Sequence, residues 1–188
     1  MAVRQHSVEC LPVKNHLVVS VLVENRPGFV NELTRAILDS DCSILNSRMM
    51  ALGSELAVLL LVQGNWNTLA KLEVQLKRLE QPLGITIVCK RTEERKRQGN
   101  VLPYAVEVIA LNHPGLVHRL VNFFTTRSIS IEELDSHSYH APHTGTPMFS
   151  VTIAIGIPAD MHIAMLREEF MDFCDEHNLD AMMEPIKG

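Results

Sequence analysis

The sequence is poor in aromatic residues, in cysteine and in positive charge, and each shortage disfavours a class of function. Aromatic residues make up 5% of the 188 residues, which disfavours an RNA-binding sheet because such sheets stack bases on aromatic side chains. The four cysteines are widely spaced and form no CxxC pair, so we expect reduced thiols in a cytoplasmic protein. The net charge of −5 argues against direct binding to nucleic acid, which needs a basic surface.

Long apolar runs and enzyme motifs are also missing. No apolar run approaches the roughly 18 residues that span a bilayer, and residues 1–14 lack the apolar core of a signal peptide. We therefore expect no membrane association. No GxSxG, Walker, HExxH or strand-linked GxGxxG pattern occurs, so we expect the chain not to be an enzyme and to need no cofactor.

Three closely spaced histidines are candidate metal ligands. His137, His140 and His143 are spaced by three residues and could meet a metal ion in a flexible hairpin. The neighbouring Pro142 and Gly145 favour an ordinary turn with exposed histidines. We therefore expect no metal site, and the role of these histidines stays open.

A six-residue motif occurs twice, 87 residues apart, and organises the rest of the chain. The copies are Asn25-Arg26-Pro27-Gly28-Phe29-Val30 and Asn112-His113-Pro114-Gly115-Leu116-Val117. Each copy follows an apolar run and precedes an amphipathic pattern, which predicts a strand-to-helix turn. Seven of the 22 positions from Asn25 to Asn46 are identical in the second copy without a gap, so the chain contains an internal duplication.

The motif has the composition of a helix start that suits a carboxylate. Proline at the first helical position loses no hydrogen bond, because that N–H would be unpaired in any case. The glycine leaves no side chain in front of the N–H groups of the first turn, which attract anions. The asparagine offers both a donor and an acceptor at the rim. The same residues also make a good turn without any ligand, and the motif alone leaves both interpretations open.

Hydrophobic periodicity predicts the same order of elements in each copy. In the first copy, strands are predicted at 16–24, 43–52, 55–63 and 84–90, with helices at 28–41 and 66–79. Asn65 or Asn67 is expected to cap the second helix, and Asp160 the last one. The second copy has a hairpin about five residues longer. The fold class is therefore α+β, with two tandem ferredoxin-like βαββαβ domains.

The domain bounds follow from where the periodicity stops. We predict an N-terminal arm at 1–15, a first domain at 16–90, a linker at 91–102 and a second domain at 103–188. The basic run in the linker is expected to be solvated.

The third strand of the first domain, residues 56–62, is apolar on both faces. Helices cover only one face of a ferredoxin-like sheet, so we expect the sister domain or a second chain to cover the other. Leu56, Val58 and Leu59 are the residues expected on that helix-free face.

Further runs carry a resemblance to a known family. They are Ser47-Arg48-Met49-Met50-Ala51-Leu52-Gly53-Ser54-Glu55, Leu60-Leu61-Val62-Gln63-Gly64-Asn65-Trp66-Asn67 and Ile87-Val88-Cys89-Lys90-Arg91-Thr92. With the element order and the first Asn-Arg-Pro-Gly-Phe-Val turn, they resemble the ACT domain, a small-molecule-sensing module of amino-acid metabolism. Two such domains in tandem resemble the glycine cleavage system transcriptional repressor family, over roughly residues 16 to 185.

The resemblance implies that the loop after the first strand binds an effector, often across a domain interface. The implied ligand-binding residues are Asn25, Arg26, Pro27, Gly28, Phe29, Val30 and Ser43, with a weaker twin at Asn112, His113, Gly115 and Leu116. Similarity to the serine-sensing ACT domain of phosphoglycerate dehydrogenase implies that Asn25, and by the repeat Asn112, contacts the amino acid. That domain also carries a histidine and a second asparagine, which Val23 and Ser43 replace here. The effector therefore stays open, with glycine as one candidate.

Three function classes remain. The resemblance favours an amino-acid-sensing repressor that forms a homo-oligomer and acts through a DNA-binding transcription regulator. A regulatory subunit of an amino-acid biosynthetic or one-carbon enzyme is the alternative. An enzyme fragment is the weakest, since formyltetrahydrofolate deformylase begins with a similar domain but a second repeat occupies the region of its catalytic half.

Overall fold

The structure, a computed structural model, describes residues 15–93 and 101–186, apart from the side chains of residues 81–83. It divides the chain into two compact units, residues 1–96 and 97–188. Almost all of the predicted arm and most of the predicted linker lie outside the described residues.

The first unit is a four-stranded sheet with two helices. Its elements are β1 Asn15–Glu24, α1 Phe29–Leu38, β2 Ser43–Leu52, β3 Glu55–Gly64, α2 Trp66–Leu83 and β4 Thr86–Thr92. The strand order is β2-β3-β1-β4, and all neighbouring strands are antiparallel.

The second unit repeats this arrangement. Its elements are β5 Val101–Leu111, α3 Leu116–Thr125, β6 Ser130–His140, β7 Pro147–Pro158, α4 Ile163–Glu176 and β8 Asp180–Pro185. The strand order β6-β7-β5-β8 is the same. Even the irregularity at the start of the second strand recurs, between Ile44 and Asn46 and between Ile131 and Glu133. The predicted α+β fold of two tandem βαββαβ domains is confirmed.

Each unit has its own core between the helices and one face of the sheet. The first core is mostly aliphatic, with Phe29, Leu33 and Ile37 from α1 packed on alternate residues of β1 and β3. The second core contains an aromatic group instead, in which Phe123, Phe124 and Phe170 lie with ring centroids 5.2 to 5.3 Å apart. The predicted helical stripes therefore face the sheets.

Of the two predicted helix caps, one is confirmed and one is wrong. Asn65 caps α2, because its side chain accepts a hydrogen bond from the Thr68 backbone N–H while Thr68 Oγ1 accepts one from Asn65 N–H. Asp160 does not cap α4. The turn after β7 extends two residues further, with Met161 N–H donating to Pro158 C=O, so His162 stands at the cap without a side-chain hydrogen bond.

The strand pairing corrects the residues expected on the helix-free face of the first sheet. Leu56 and Val58 are 7% and 3% exposed and belong to the core under the helices, so that expectation was wrong for both. Leu59 points the other way and is 49% exposed, since successive side chains of a strand alternate between faces. An entirely apolar strand does not reveal which alternate set faces the helices.

Candidate ligand-binding site

Each repeated turn lies beside the hairpin of its own sheet. Asn25 follows β1, and its backbone N–H donates to Ser54 C=O in the β2–β3 turn at 2.9 Å. Asn112 follows β5, and its N–H donates to Pro147 C=O at 3.0 Å. The β-hairpin therefore fixes the start of each turn, so both copies hold their asparagine at the same end of an interior strand.

Glycine occupies the cap position of the helix in both turns. Gly28 and Gly115 have φ angles of 91° and 87°, a conformation that other residues adopt only with strain. In the described part of the chain, no side chain caps either helix. Apart from the residues adjacent in the chain, no heavy atom of the described residues lies within 4 Å of the position that a Cβ would take on either glycine. The turns are open at the point where the motif predicts a ligand.

The first N–H groups of each helix have no hydrogen-bond acceptor within the helix. The first backbone hydrogen bond runs from Glu32 N–H to Gly28 C=O at 3.1 Å in one copy and from Arg119 N–H to Gly115 C=O at 3.0 Å in the other. The N–H groups that precede these residues have no intrahelical acceptor. They carry the positive end of the helix dipole, which suits an anionic group.

The two asparagine side chains differ in their surroundings. Asn25 is exposed, and among the described residues its side chain has no hydrogen-bond partner. Asn112 Nδ2 donates to Ser138 Oγ at 3.4 Å. Ala51 occupies the position of Ser138 in the first copy, 87 residues earlier. All donors and acceptors of the Asn25 side-chain amide are thus available to a ligand, whereas the hydrogen bond to Ser138 orients the Asn112 amide.

Charge also distinguishes the copies, which the motif alone did not reveal. Arg26 forms a two-pronged ion pair with Glu32, at 2.9 Å between Nη2 and Oε2 and 3.3 Å between Nη1 and Oε1. The equivalent positions in the second copy are His113 and Arg119. A carboxylate neutralises the arginine in the first turn, while the second turn carries an arginine in place of that carboxylate. The repeat alignment contained this signal, since position 32 aligns with position 119.

Some predicted site residues can act only through their backbone. The side chains of Phe29 and Leu116 are 0% and 2% exposed and belong to the two cores, so only their N–H groups can reach a ligand. Pro27 is exposed, and Val30 and His113 are partly buried. His113 Nδ1 lies 3.2 Å from the Pro114 carbonyl oxygen.

Ser43 does not join the first turn. It begins β2 and pairs with Gln63, which in turn pairs with His16 near the start of β1. Asn25 follows the opposite end of β1. The two residues are separated by nearly the length of a ten-residue strand, or about 30 Å. Within one unit, the structure therefore excludes Ser43 from the site built on Asn25.

The histidines considered as metal ligands are spread along the β6–β7 hairpin. His137 and His140 lie in β6 and His143 lies in the following turn. His137 contacts the Tyr139 ring at 5.7 Å between centroids. Within residues 15–93 and 101–186, no three histidine, cysteine, aspartate or glutamate side chains are arranged to hold a metal ion.

Known proteins resemble this chain along almost its whole length. The ACT domain family matches residues 15–90. The glycine cleavage system transcriptional repressor of Escherichia coli (strain K12) is 30% identical over 176 residues, which cover 94% of this chain and 93% of the relative. This chain belongs to the glycine cleavage system transcriptional repressor family. The repressor of Shigella flexneri matches with the same identity and coverage.

Solved structures share the architecture of this repressor-family chain. A crystal structure of a candidate glycine cleavage system transcriptional repressor matches with a TM-score of 0.71 and 25% identity, covering 94% of this chain and 99% of the other. A protein from Galdieria sulphuraria matches with a TM-score of 0.75 and 21% identity, which supports the fold alone. Both repeats of this repressor-family member thus have the ACT fold, and the ACT family matches the first of them. In the described part of the chain, no helix has the length and apolar character that crossing a membrane requires.

Proposed function

We propose that this protein senses a small amino acid and represses transcription through a DNA-binding partner protein. Its similarity to the Escherichia coli repressor, spread over 94% of the chain, is the observation that carries the regulatory role. The duplicated glycine-capped turn supports the sensing role. The name of the relative connects it with the glycine cleavage system, so glycine is the first effector to test.

In this proposal, the ligand carboxylate binds the N–H groups at the start of α1 or α3, where the helix dipole favours it. Asn25 or Asn112 orients the amino group from the edge of the turn. A neutral amide attracts an ammonium group less than a carboxylate would, so one such hydrogen bond contributes about 0.5 to 1.5 kcal/mol. We therefore expect modest affinity, suited to a metabolite present at high concentration.

The charges predict that the two turns differ in affinity. Glu32 neutralises Arg26 in the first turn, whereas Arg119 adds a positive charge to the second. A carboxylate ligand should therefore prefer the second turn, which reverses the ranking expected from the motif alone. Hydrogen bonding to Ser138 also holds Asn112 in place, which lowers the entropy cost of binding.

We propose a DNA-binding partner because this chain carries too little positive charge to bind DNA by itself. Its net charge is −5, and non-specific DNA affinity comes mainly from neutralising phosphates with lysine and arginine. By linkage, an amino acid that releases the partner must bind the uncomplexed protein more tightly than the complex. The concentration of the effector thereby sets the fraction of the partner that is bound.

Gel-shift and co-purification experiments test the two halves of this proposal. The purified chain should give no sequence-specific shift of a glycine cleavage operon promoter, and a pull-down from the source cells should retain a DNA-binding regulator. Adding glycine should change the amount retained. A salt-sensitive, sequence-specific shift by the chain alone would overturn the proposed mechanism, as would recovery of only a metabolic enzyme.

A further inference from the structure

The helix-free faces of the two sheets are equivalent by the repeat, yet they differ in chemistry. Strand pairing defines which residues share each face. The first sheet face comprises Val18, Ser20 and Leu22 of β1, Asn46, Arg48 and Met50 of β2, Ala57, Leu59 and Leu61 of β3, and Thr86, Val88 and Lys90 of β4. The second sheet face comprises Ala105, Glu107 and Ile109 of β5, Glu133, Asp135 and His137 of β6, Ser150, Thr152 and Ala154 of β7, and Asp180, Met182 and Glu184 of β8.

The first sheet face is apolar at its centre and basic at both edges. Leu22 and Leu59 are each 49% exposed and Val88 is 58% exposed, an unusual concentration of exposed apolar side chains. Arg48 lies on the edge strand β2 and Lys90 on the opposite edge strand β4. A shallow depression of about 300 Å³ lies between β2 and the centre of the sheet, with Val18, Leu59 and Arg48 in its lining. These twelve residues include no carboxylate; Glu24 and Glu55, which pair with each other, lie beyond them at the end beside the turn.

The second sheet face is acidic across its width. Glu107 lies in the central strand β5, with Glu133 and Asp135 on the edge strand β6 and Asp180 and Glu184 on the opposite edge strand β8. Its apolar residues are fewer, and Thr152 takes the position that Leu59 has in the first sheet. A face of this kind repels a second copy of itself.

The repeat places opposite charges at matching positions. Arg48 aligns with Asp135 at the offset of 87, and both pair with the third strand of their sheet. Lys90 pairs with Val18, and Glu184 pairs with the equivalent residue, Ala105. Both basic edges of the first face thus have acidic counterparts. When the two faces stack with their strands aligned in either direction, each cation lies over an edge that carries carboxylates.

We propose that the first sheet face docks on the second sheet face of another copy of this chain. In the two-fold dimer that we propose, the contact is made twice, with the first face of each copy on the second face of the other. The dimer covers Leu22, Leu59 and Val88 and places Arg48 and Lys90 against carboxylates. This inference is independent of the amino-acid site, since no residue of either repeated turn belongs to these faces.

Reciprocal charge reversal tests the proposal with the full chain. The double variant Arg48→Glu/Lys90→Glu makes the first sheet face acidic like the second. The double variant Asp135→Lys/Glu184→Lys places one lysine on each edge of the second sheet face, beside the remaining Glu133 and Asp180. By sedimentation equilibrium, each variant alone should dimerise at least about tenfold more weakly than the wild type. Mixed in equal amounts, they should form a heterodimer with affinity near the wild type's, because both contacts then pair opposite charges. Failure of the mixture to dimerise would overturn the proposal, as would a wild-type monomer at all concentrations.

A single apolar substitution provides an independent check with a matched control. Leu59→Glu places a charge at the centre of the first sheet face, while Val74→Glu does so at a similarly exposed site, 53%, on α2. Both side chains are exposed, so both variants should keep the wild-type circular dichroism spectrum. Leu59→Glu should be monomeric at concentrations where Val74→Glu is a dimer. Equal dimerisation of the two variants, or dissociation of both, would place the contact elsewhere on the surface.

Discussion

The ion pair between Arg26 and Glu32 gives a sharp test of where the ligand carboxylate binds. Its two side chains are 35% and 43% exposed, so removing it with Glu32→Gln should change the free energy of unfolding by less than about 1 kcal/mol. The substitution removes one negative charge beside the first turn. At a separation of roughly 7 Å in water, one unit charge contributes about 0.6 kcal/mol to the binding of a carboxylate. The dissociation constant at this turn should therefore fall about threefold.

The equivalent position of the second turn provides the control with the opposite sign. Arg119→Gln removes a positive charge, so the dissociation constant there should rise by about the same factor. Glycine titrations followed by NMR separate the two sites, because Gly28 and Gly115 give distinct backbone amide signals. Both changes in dissociation constant should become smaller in high salt, because salt screens exposed charges. Unchanged affinity in both variants, or tighter binding in Arg119→Gln, would refute a carboxylate at the helix start.

Two further predictions concern stability. Gly28→Ala should lower the free energy of unfolding in urea by about 1 to 2 kcal/mol, because a φ of 91° strains alanine. A steric clash does not contribute, since there is space for the methyl group. A free energy of unfolding equal to the wild type's would mean that the turn adopts another conformation. Burial, aided by Glu73 and Glu80 at Cys89 and by Asp175 at Cys174, raises the pKa of both thiols from 9.0 to about 11. These thiols ionise at lower pH in the unfolded chain than in the folded one. The free energy of unfolding should therefore keep their full contribution below pH 9 and decrease as the pH rises towards 11. The variant Cys89→Ala/Cys174→Ala should flatten that decline, and an equal slope would contradict these pKa values.

The sequence alone predicted the fold because its signals are local. Apolar stripes at helical spacing, such as Leu69, Leu72 and Leu76, predict a helix with one buried face, and these three residues are fully buried. Because the two copies align, the helices and strands predicted in the first unit are also predicted in the second. The strand bounds at the linker could not be predicted. Strand β4 continues to Thr92 through polar residues, and β5 begins at Val101 although Pro103 interrupts it.

The site depends on contacts between residues distant in sequence, so less of it could be predicted. The motif indicated the glycine caps, whose positive φ angles the structure shows. It could not show that Ser43 lies at the far end of the sheet, because that depends on strand direction and pairing. The Asn112–Ser138 contact likewise depends on the register between β5, β7 and β6. The motif does not single out Glu32 and Arg119, because each has the pattern of an ordinary solvent-facing helix residue until the two copies are aligned.

Calorimetric titration of the purified protein with glycine and the other proteinogenic amino acids tests the sensing role most directly. At least one amino acid should bind the wild type, and the double variant Asn25→Ala/Asn112→Ala should bind it several-fold more weakly, as expected for losing one neutral hydrogen bond at each turn. Asn67→Ala, which removes an exposed asparagine from the first turn of α2, should bind like the wild type. Binding of no amino acid, or equal affinity in the double variant, would contradict an amino-acid site at the repeated turns.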